Sequence, residues 1–206
     1  YFIRTLVSTL LATAAMALTA PWAGAADAPT VMVLGDSLSA EYGLARGSGW
    51  VALLEQRLAT RKPSVRVVNA SISGDTTSGG RARLPALLTR EHPSVVVIEL
   101  GGNDALRGLP LEMTQANLTA MTQAAQKAGA KVLLTGMQVP PNYGADYGKR
   151  FAAVYTQVAQ STGAALVPFL LKGVADGPDA MALFQADRIH PKAEAHPTIL
   201  RNVWPT

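Results

Sequence analysis

Four short polar blocks hold the residues able to do chemistry. Gly35-Asp36-Ser37-Leu38-Ser39 ends an apolar run abruptly in a serine. SISGDTTSGG spans residues 71–80 and contains Gly74. Gly101-Gly102-Asn103-Asp104 is the third block, and Asp187-Arg188-Ile189-His190-Pro191 lies near the C-terminus. A serine hydroxyl is unreactive unless a neutral imidazole within hydrogen-bond reach takes its proton. The imidazole needs a carboxylate to hold its tautomer. The tetrahedral intermediate of acyl transfer needs N–H donors aimed at its oxyanion. Ser37, His190 and Asp187 supply nucleophile, base and orienter, and the Asp187-x-x-His190 spacing lets one short loop carry two of them. The backbone N–H groups of Ser37 and Gly74 and the side-chain amide of Asn103 are the expected oxyanion donors. Gly74 suits the task because a residue without Cβ lets the backbone approach a substrate closely.

Each residue also has a plainer reading. Ser37 could cap the following segment, and Asp187 could cap the final helix. Asn103 could be a turn residue tolerant of left-handed backbone, and His190 an ordinary surface histidine. Four blocks occurring together outweigh these separate readings. Asp36 is expected to hold its loop by hydrogen bonds, and Asp75 and Asp104 to brace theirs. Ser39, Ser71 and Ser73 read as satisfying backbone groups, His92 and His196 as surface residues.

Other chemistries fit poorly. Gly47 to Ala52 matches G-x-G-x-x-A, but it does not directly follow a strand, and no acid stands about 20 residues on. No G-x-S-x-G elbow occurs. Three dispersed histidines and no cysteine argue against a metal site, and the absent cysteines exclude disulfides. The net charge of +4 comes from scattered Lys and Arg, with no basic stripe alternating with aromatics. Nucleic acid is therefore not an expected partner.

The elements that must position these blocks can also be read. The chain has 206 residues, 49% hydrophobic and 16% charged, which suits one domain with a sizeable core. Strands are expected at 30–35, 65–70, 94–101, 130–136 and 165–169. Their apolar runs are continuous rather than alternating, the pattern of strands covered on both faces. Helices are expected over 50–60, 146–162 and about 192–203, with Gly129 and Gly163 marking two helix ends. Alternating strands and helices imply a parallel sheet with helices on both faces. Ligands of such sheets sit outside the carboxyl ends of the strands, which is where the first three blocks fall. The fourth can reach the same edge by lying across it. Residues 1–25, with Arg4, an apolar stretch and Ala23-Gly24-Ala25, read as a secretory signal peptide. The expectation is export, to the periplasm or beyond, with residues 26–206 as a single domain whose charge falls from +4 to +3 once Arg4 is removed.

The blocks GDSLS, SISGDTTSGG, GGND and DRIHP, in this order, resemble those of the SGNH (GDSL) hydrolase superfamily. They look closest to its bacterial exported thioesterase, arylesterase and lysophospholipase branch, and VPPNYGADYGKRFAAVY (139–155) resembles a segment of that branch too. The resemblance implies a flavodoxin-like three-layer α/β/α sandwich with a five-stranded parallel sheet. It implies a serine esterase acting on acyl esters and thioesters without metal or cofactor. At the matching positions it makes Ser37 the nucleophile, Asp187 and His190 the rest of the triad, and Gly74 and Asn103 oxyanion donors. His196 stands where the branch more often carries an amide residue. The expected partner is a small acyl ester or thioester, lipid substrates included, and no obligate protein partner is implied. The loops 107–113 and 140–147 are expected to supply an acyl groove from Leu109, Leu111, Met113 and Tyr143. The rival readings are a carbohydrate O-deacetylase on the same scaffold and a non-catalytic binding module that kept the fold.

Overall fold

The continuous apolar runs become the strands of one sheet. The computed structural model describes residues 28–206; the segment read as a signal peptide, 1–25, lies outside the described residues. The order is β1 (Thr30–Gly35), α1 (Trp50–Ala59), β2 (Arg66–Asn69), α2 (Thr77–Glu91), β3 (Val95–Glu99), α3 (Gly102–Leu106), α4 (Leu111–Lys127), β4 (Lys131–Thr135), α5 (Ala145–Thr162), β5 (Ala165–Val167) and α6 (His196–Val203). All five strands are parallel, in the order β2-β1-β3-β4-β5. The chain starts next to the middle, moves outward once, then returns and builds toward the other edge. That leaves a topological switch point between β1 and β3, where this class of sheet opens its crevice. Gly35 pairs with Glu99 in register, so the loops after β1 and β3 start level with each other.

Helices cover both faces. α1 packs on α6, while α2, α4 and α5 lie side by side. Met32, Val33 and Leu34 are all sealed from solvent, although consecutive residues point to opposite faces. Two covered faces thus explain why the runs do not alternate. In α5, Phe151, Val154, Tyr155 and Val158 form the buried stripe, each such side chain contributing about 1.5–3 kcal/mol by leaving water. Gly163 ends α5 with a φ of 69°, a left-handed cap that glycine adopts at little cost.

Several expected boundaries shift. β5 stops at Val167, because Pro168 has no N–H to donate to a ladder. The expected last helix begins as a 3-10 turn, Ala193–Ala195, before α6. Two segments read as loops are partly helical. α4 begins at Leu111, and Pro141–Tyr143 forms a 3-10 turn ahead of α5.

Candidate active site

The first block turns tightly as it leaves β1. Asp36 O accepts from Ser39 N at 3.2 Å and Ala40 N at 3.0 Å, and Ser37 O accepts from Tyr42 N at 3.4 Å. Asp36 is buried, and its Oδ1 accepts from Leu38 N at 3.0 Å. Ser37 is thereby held half-buried just beyond the sheet edge.

The fourth block crosses to meet it. Phe184 bridges Pro191 antiparallel, and Gln185 N donates to His190 O at 2.8 Å, closing a loop around Asp187. Arg188 sits at a φ of 59°, in the left-handed region. That bend lets Asp187 Oδ1 accept from Ile189 N at 2.9 Å and His190 N at 3.0 Å. Asp187 Oδ2 lies 2.7 Å from His190 Nδ1, and His190 Nε2 lies 2.8 Å from Ser37 Oγ. The hydrogen bond from His190, aided by the backbone N–H groups, holds the Asp187 carboxyl down to about 2. Tutored by that anion, Nδ1 carries the proton and Nε2 faces the serine with its lone pair.

The second and third blocks close the other side. Asn103 Nδ2 donates to Asp36 Oδ2 at 2.9 Å and to Asp75 O at 3.0 Å. It therefore ties the Ser37 turn to the Gly74 loop, with both amide protons engaged. Gly74 has a φ of 78°, and Arg107 Nη2 donates to its carbonyl at 2.7 Å. Among the described residues, neither Ser37 N nor Gly74 N makes a hydrogen bond. Asp104 braces α2 through Thr77 N at 2.8 Å and the Thr77 hydroxyl. Asp75 pairs with Arg83 at 2.8 Å. No cluster of His, Asp and Glu able to hold a metal ion occurs among the described residues.

The geometry corrects several readings. His196 is buried, 1% exposed, rather than on the surface. Its Nδ1 accepts from Trp50 N at 3.0 Å, one of the orphan N–H groups at the start of α1. Burial pushes His196 below the usual histidine range, so it is a neutral packing and capping residue. Leu111, expected in the acyl groove, faces the core from the first turn of α4. Leu109, Met113 and Tyr143 stay partly exposed. Ser39 serves no backbone group; its Oγ donates to Glu99 Oε2 at 2.7 Å. Glu99 itself was missed. Its signal was a charged residue inside the apolar run of β3, which a strand covered on both faces should not contain.

The family model described as GDSL-like lipase/acylhydrolase matches residues 33–197. The chain belongs to the GDSL-like lipase/acylhydrolase family. Its fold and its serine-hydrolase chemistry are those of that family. Esterase TesA of Pseudomonas aeruginosa is 56% identical over 181 residues, covering 88% of this chain and 89% of that protein. Thioesterase 1/protease 1/lysophospholipase L1 of Escherichia coli K12 is 43% identical over 175 residues, covering 85% and 81%. A crystal structure of TesA superposes with a TM-score of 0.81 at 56% identity, covering 85% of this chain and 96% of that one.

Proposed function

We propose that this acylhydrolase cleaves acyl esters and thioesters through a Ser37-His190-Asp187 triad. The observation that carries the reading is the unbroken chain from Ser37 Oγ to His190 Nε2 at 2.8 Å and from His190 Nδ1 to Asp187 Oδ2 at 2.7 Å. Ser37 Oγ attacks the acyl carbon as His190 takes its proton. The ionised Asp187 stabilises the imidazolium and does not itself take up the proton. The oxyanion turns toward the free N–H groups of Ser37 and Gly74. Asn103 joins them by exchanging the neutral carbonyl of Asp75 for the oxyanion, a charged and stronger acceptor. Its bond to Asp36 stays in place and fixes the amide plane. Collapse expels the alcohol or thiol, protonated by His190, and leaves Ser37 acylated. Water then enters with His190 again as base, and the acid product leaves.

Leu109, Met113 and Tyr143 are the side chains we assign to the acyl portion of the substrate, which is a small ester or thioester. The names of the relatives, an esterase and a thioesterase with lysophospholipase activity, support this range. An acyl chain-length series on matched oxygen and thiol esters tests it, with a serine-directed phosphonate as control. Turnover of both series, abolished by the phosphonate, is the expected result. Hydrolysis confined to acetylated sugars would instead favour the deacetylase reading.

A further inference from the structure

Glu99 ends β3 directly beneath the nucleophile turn and has no exposed surface. Its Oε2 accepts from Ser39 Oγ at 2.7 Å and from Asp36 N at 3.2 Å. Trp50 Nε1 in turn donates to Ser39 Oγ at 3.2 Å. The indole N–H is a donor only, so the single hydroxyl proton of Ser39 must point to Glu99. Room for this carboxyl exists because residue 35 is glycine. A Cβ there would stand 2.7 Å from Glu99 Oε2 and 2.8 Å from Ser39 Oγ.

Both donors land on Oε2, while Oε1 is buried and meets no hydrogen-bonding partner among the described residues. No cation pairs with Glu99 among those residues. The groups facing it do not supply one. From the turn after β1 comes the Asp36 carboxyl, which opposes a second negative charge. From α5, Tyr155 spends its hydroxyl on Leu100 O at 3.0 Å. Elsewhere around the site, Arg83 of α2 is paired to Asp75, and Asp104 of α3 is taken by Thr77. Asp36, by contrast, has a donor on each oxygen, Leu38 N on Oδ1 and Asn103 Nδ2 on Oδ2, and the His190 imidazole near it. Two neighbouring buried carboxyls hold one charge between them, and it belongs on the one whose two oxygens both accept.

We propose that Glu99 is a positioning residue for the nucleophile turn, held as the neutral acid with its proton on Oε1, while Asp36 carries the pair's negative charge and orients Asn103. Burial pushes both carboxyls up, Asp36 to about 6 and Glu99 well above its ordinary range, with the Asp36 charge adding to the rise of Glu99. The neutral state matters for the reaction, since a second anion under Ser37 would oppose the oxyanion forming above it. It also lets the Ser39 hydroxyl and Asp36 N–H shape the turn without a buried unpaired charge.

The kinetic arm of this inference rests on the proposed role of Ser37; the stability arm does not. Glutamine reproduces the neutral acid, with its carbonyl in place of Oε2 and its amide in place of the protonated Oε1. Glu99→Gln should keep kcat/KM for p-nitrophenyl butyrate within about threefold near pH 7, a small perturbation for an isosteric hydrogen-bond swap. A folded-state carboxyl held above its unfolded range favours folding at low pH and loses that contribution as pH rises through the folded value. The melting temperature of Glu99→Gln should therefore match wild type near pH 4 and exceed it increasingly toward about pH 9. A gap that ignores pH, or a loss of about a hundredfold in kcat/KM with the fold intact, would overturn the assignment. Carbon-13 labelling of the six glutamates in the wild-type chain tests it without a variant. One side-chain carboxyl should keep its protonated shift near pH 7, and all six titrating together in the ordinary range near 4.3 would equally overturn it. If wild type turns over no ester at all, the Ser37 reading fails while the melting and labelling results still decide the state of Glu99.

Discussion

The Tyr42 ring lies 4.3 Å, centroid to centroid, from the His190 imidazole, tilted 37° to it. Its backbone carbonyl also accepts from Gln185 Nε2 at 2.9 Å, and Gln185 N donates to His190 O at 2.8 Å. Tyr42 thus joins the serine turn to the histidine loop through both ring and main chain. In the proposed mechanism His190 takes the serine proton, and the aromatic face then stabilises the cation. Tyr42→Phe should behave as wild type. Tyr42→Leu should lose about 2–12-fold in kcat/KM, the equivalent of about 0.5–1.5 kcal/mol for an aromatic contact. Steady-state kinetics on p-nitrophenyl butyrate, with melting curves for both variants, checks this.

Ser37→Ala and His190→Ala should each cut kcat by about 10⁴-fold or more, because the two act as a unit. The double variant should be little worse than either alone. Retained turnover in purified Ser37→Ala would contradict the mechanism.

Asn103 braces the site and, in the proposed mechanism, also donates to the oxyanion. Asn103→Ala should lower kcat by about 10²–10³-fold with a much smaller change in KM, since its bond to the oxyanion exists only in the transition state. The same change frees the Ser37 turn from the Gly74 loop, so hydrogen exchange at Asp75 and Thr76 should also rise. A change confined to KM would place Asn103 in ground-state binding instead.

Asp187 supplies a pH prediction. Its carboxyl is held down to about 2 by His190, below its ordinary 3.8. A depressed carboxyl contributes stability above the unfolded value and loses it as pH falls through the folded one. The His190 loop should therefore stay docked until the pH drops through about 3.8 toward 2. Asp187→Asn removes the anion and lets the imidazole take the wrong tautomer; a loss of kcat of order 10⁴ at neutral pH is expected. Fluorescence of a probe on the 187–190 loop across an acid titration, alongside kinetics of the variant, reads both effects.

His196→Ala tests the far side of the sheet. It leaves Trp50 N without its acceptor and opens space between α1 and α6. The cost should be about 1–3 kcal/mol, and about 2–4 °C of melting temperature accompanies each kcal/mol in a domain of this size. Specific activity well below the transition should be unchanged.

Residue types and local spacing determined much of this protein. The unbroken apolar runs implied strands covered on both faces, and β1, β3 and β4 are such strands, while the edge strand β2 keeps Arg66 and Asn69 exposed. Gly163 marked the end of α5, because left-handed backbone is a local property of the residue. Asp187 and His190 were legible as a pair, since three residues of separation allow one bend to join them. Tertiary structure alone decided the rest. Ser37 and His190 are 153 residues apart in the chain, and no local preference brings Oγ within 2.8 Å of Nε2. His196 carries no local mark of burial; it is buried because α6 packs on α1 and offers Nδ1 to an orphan N–H. Leu111 left the expected groove because the first turn of α4 points it at the core. Glu99 showed the clearest division. The sequence contained an acid in an apolar strand, but only the register with Gly35 and the approach of Ser39 and Trp50 gave it partners. Local backbone preference is encoded within a few residues, whereas the partner of a buried polar atom is chosen by whichever distant segment the packed core delivers to it.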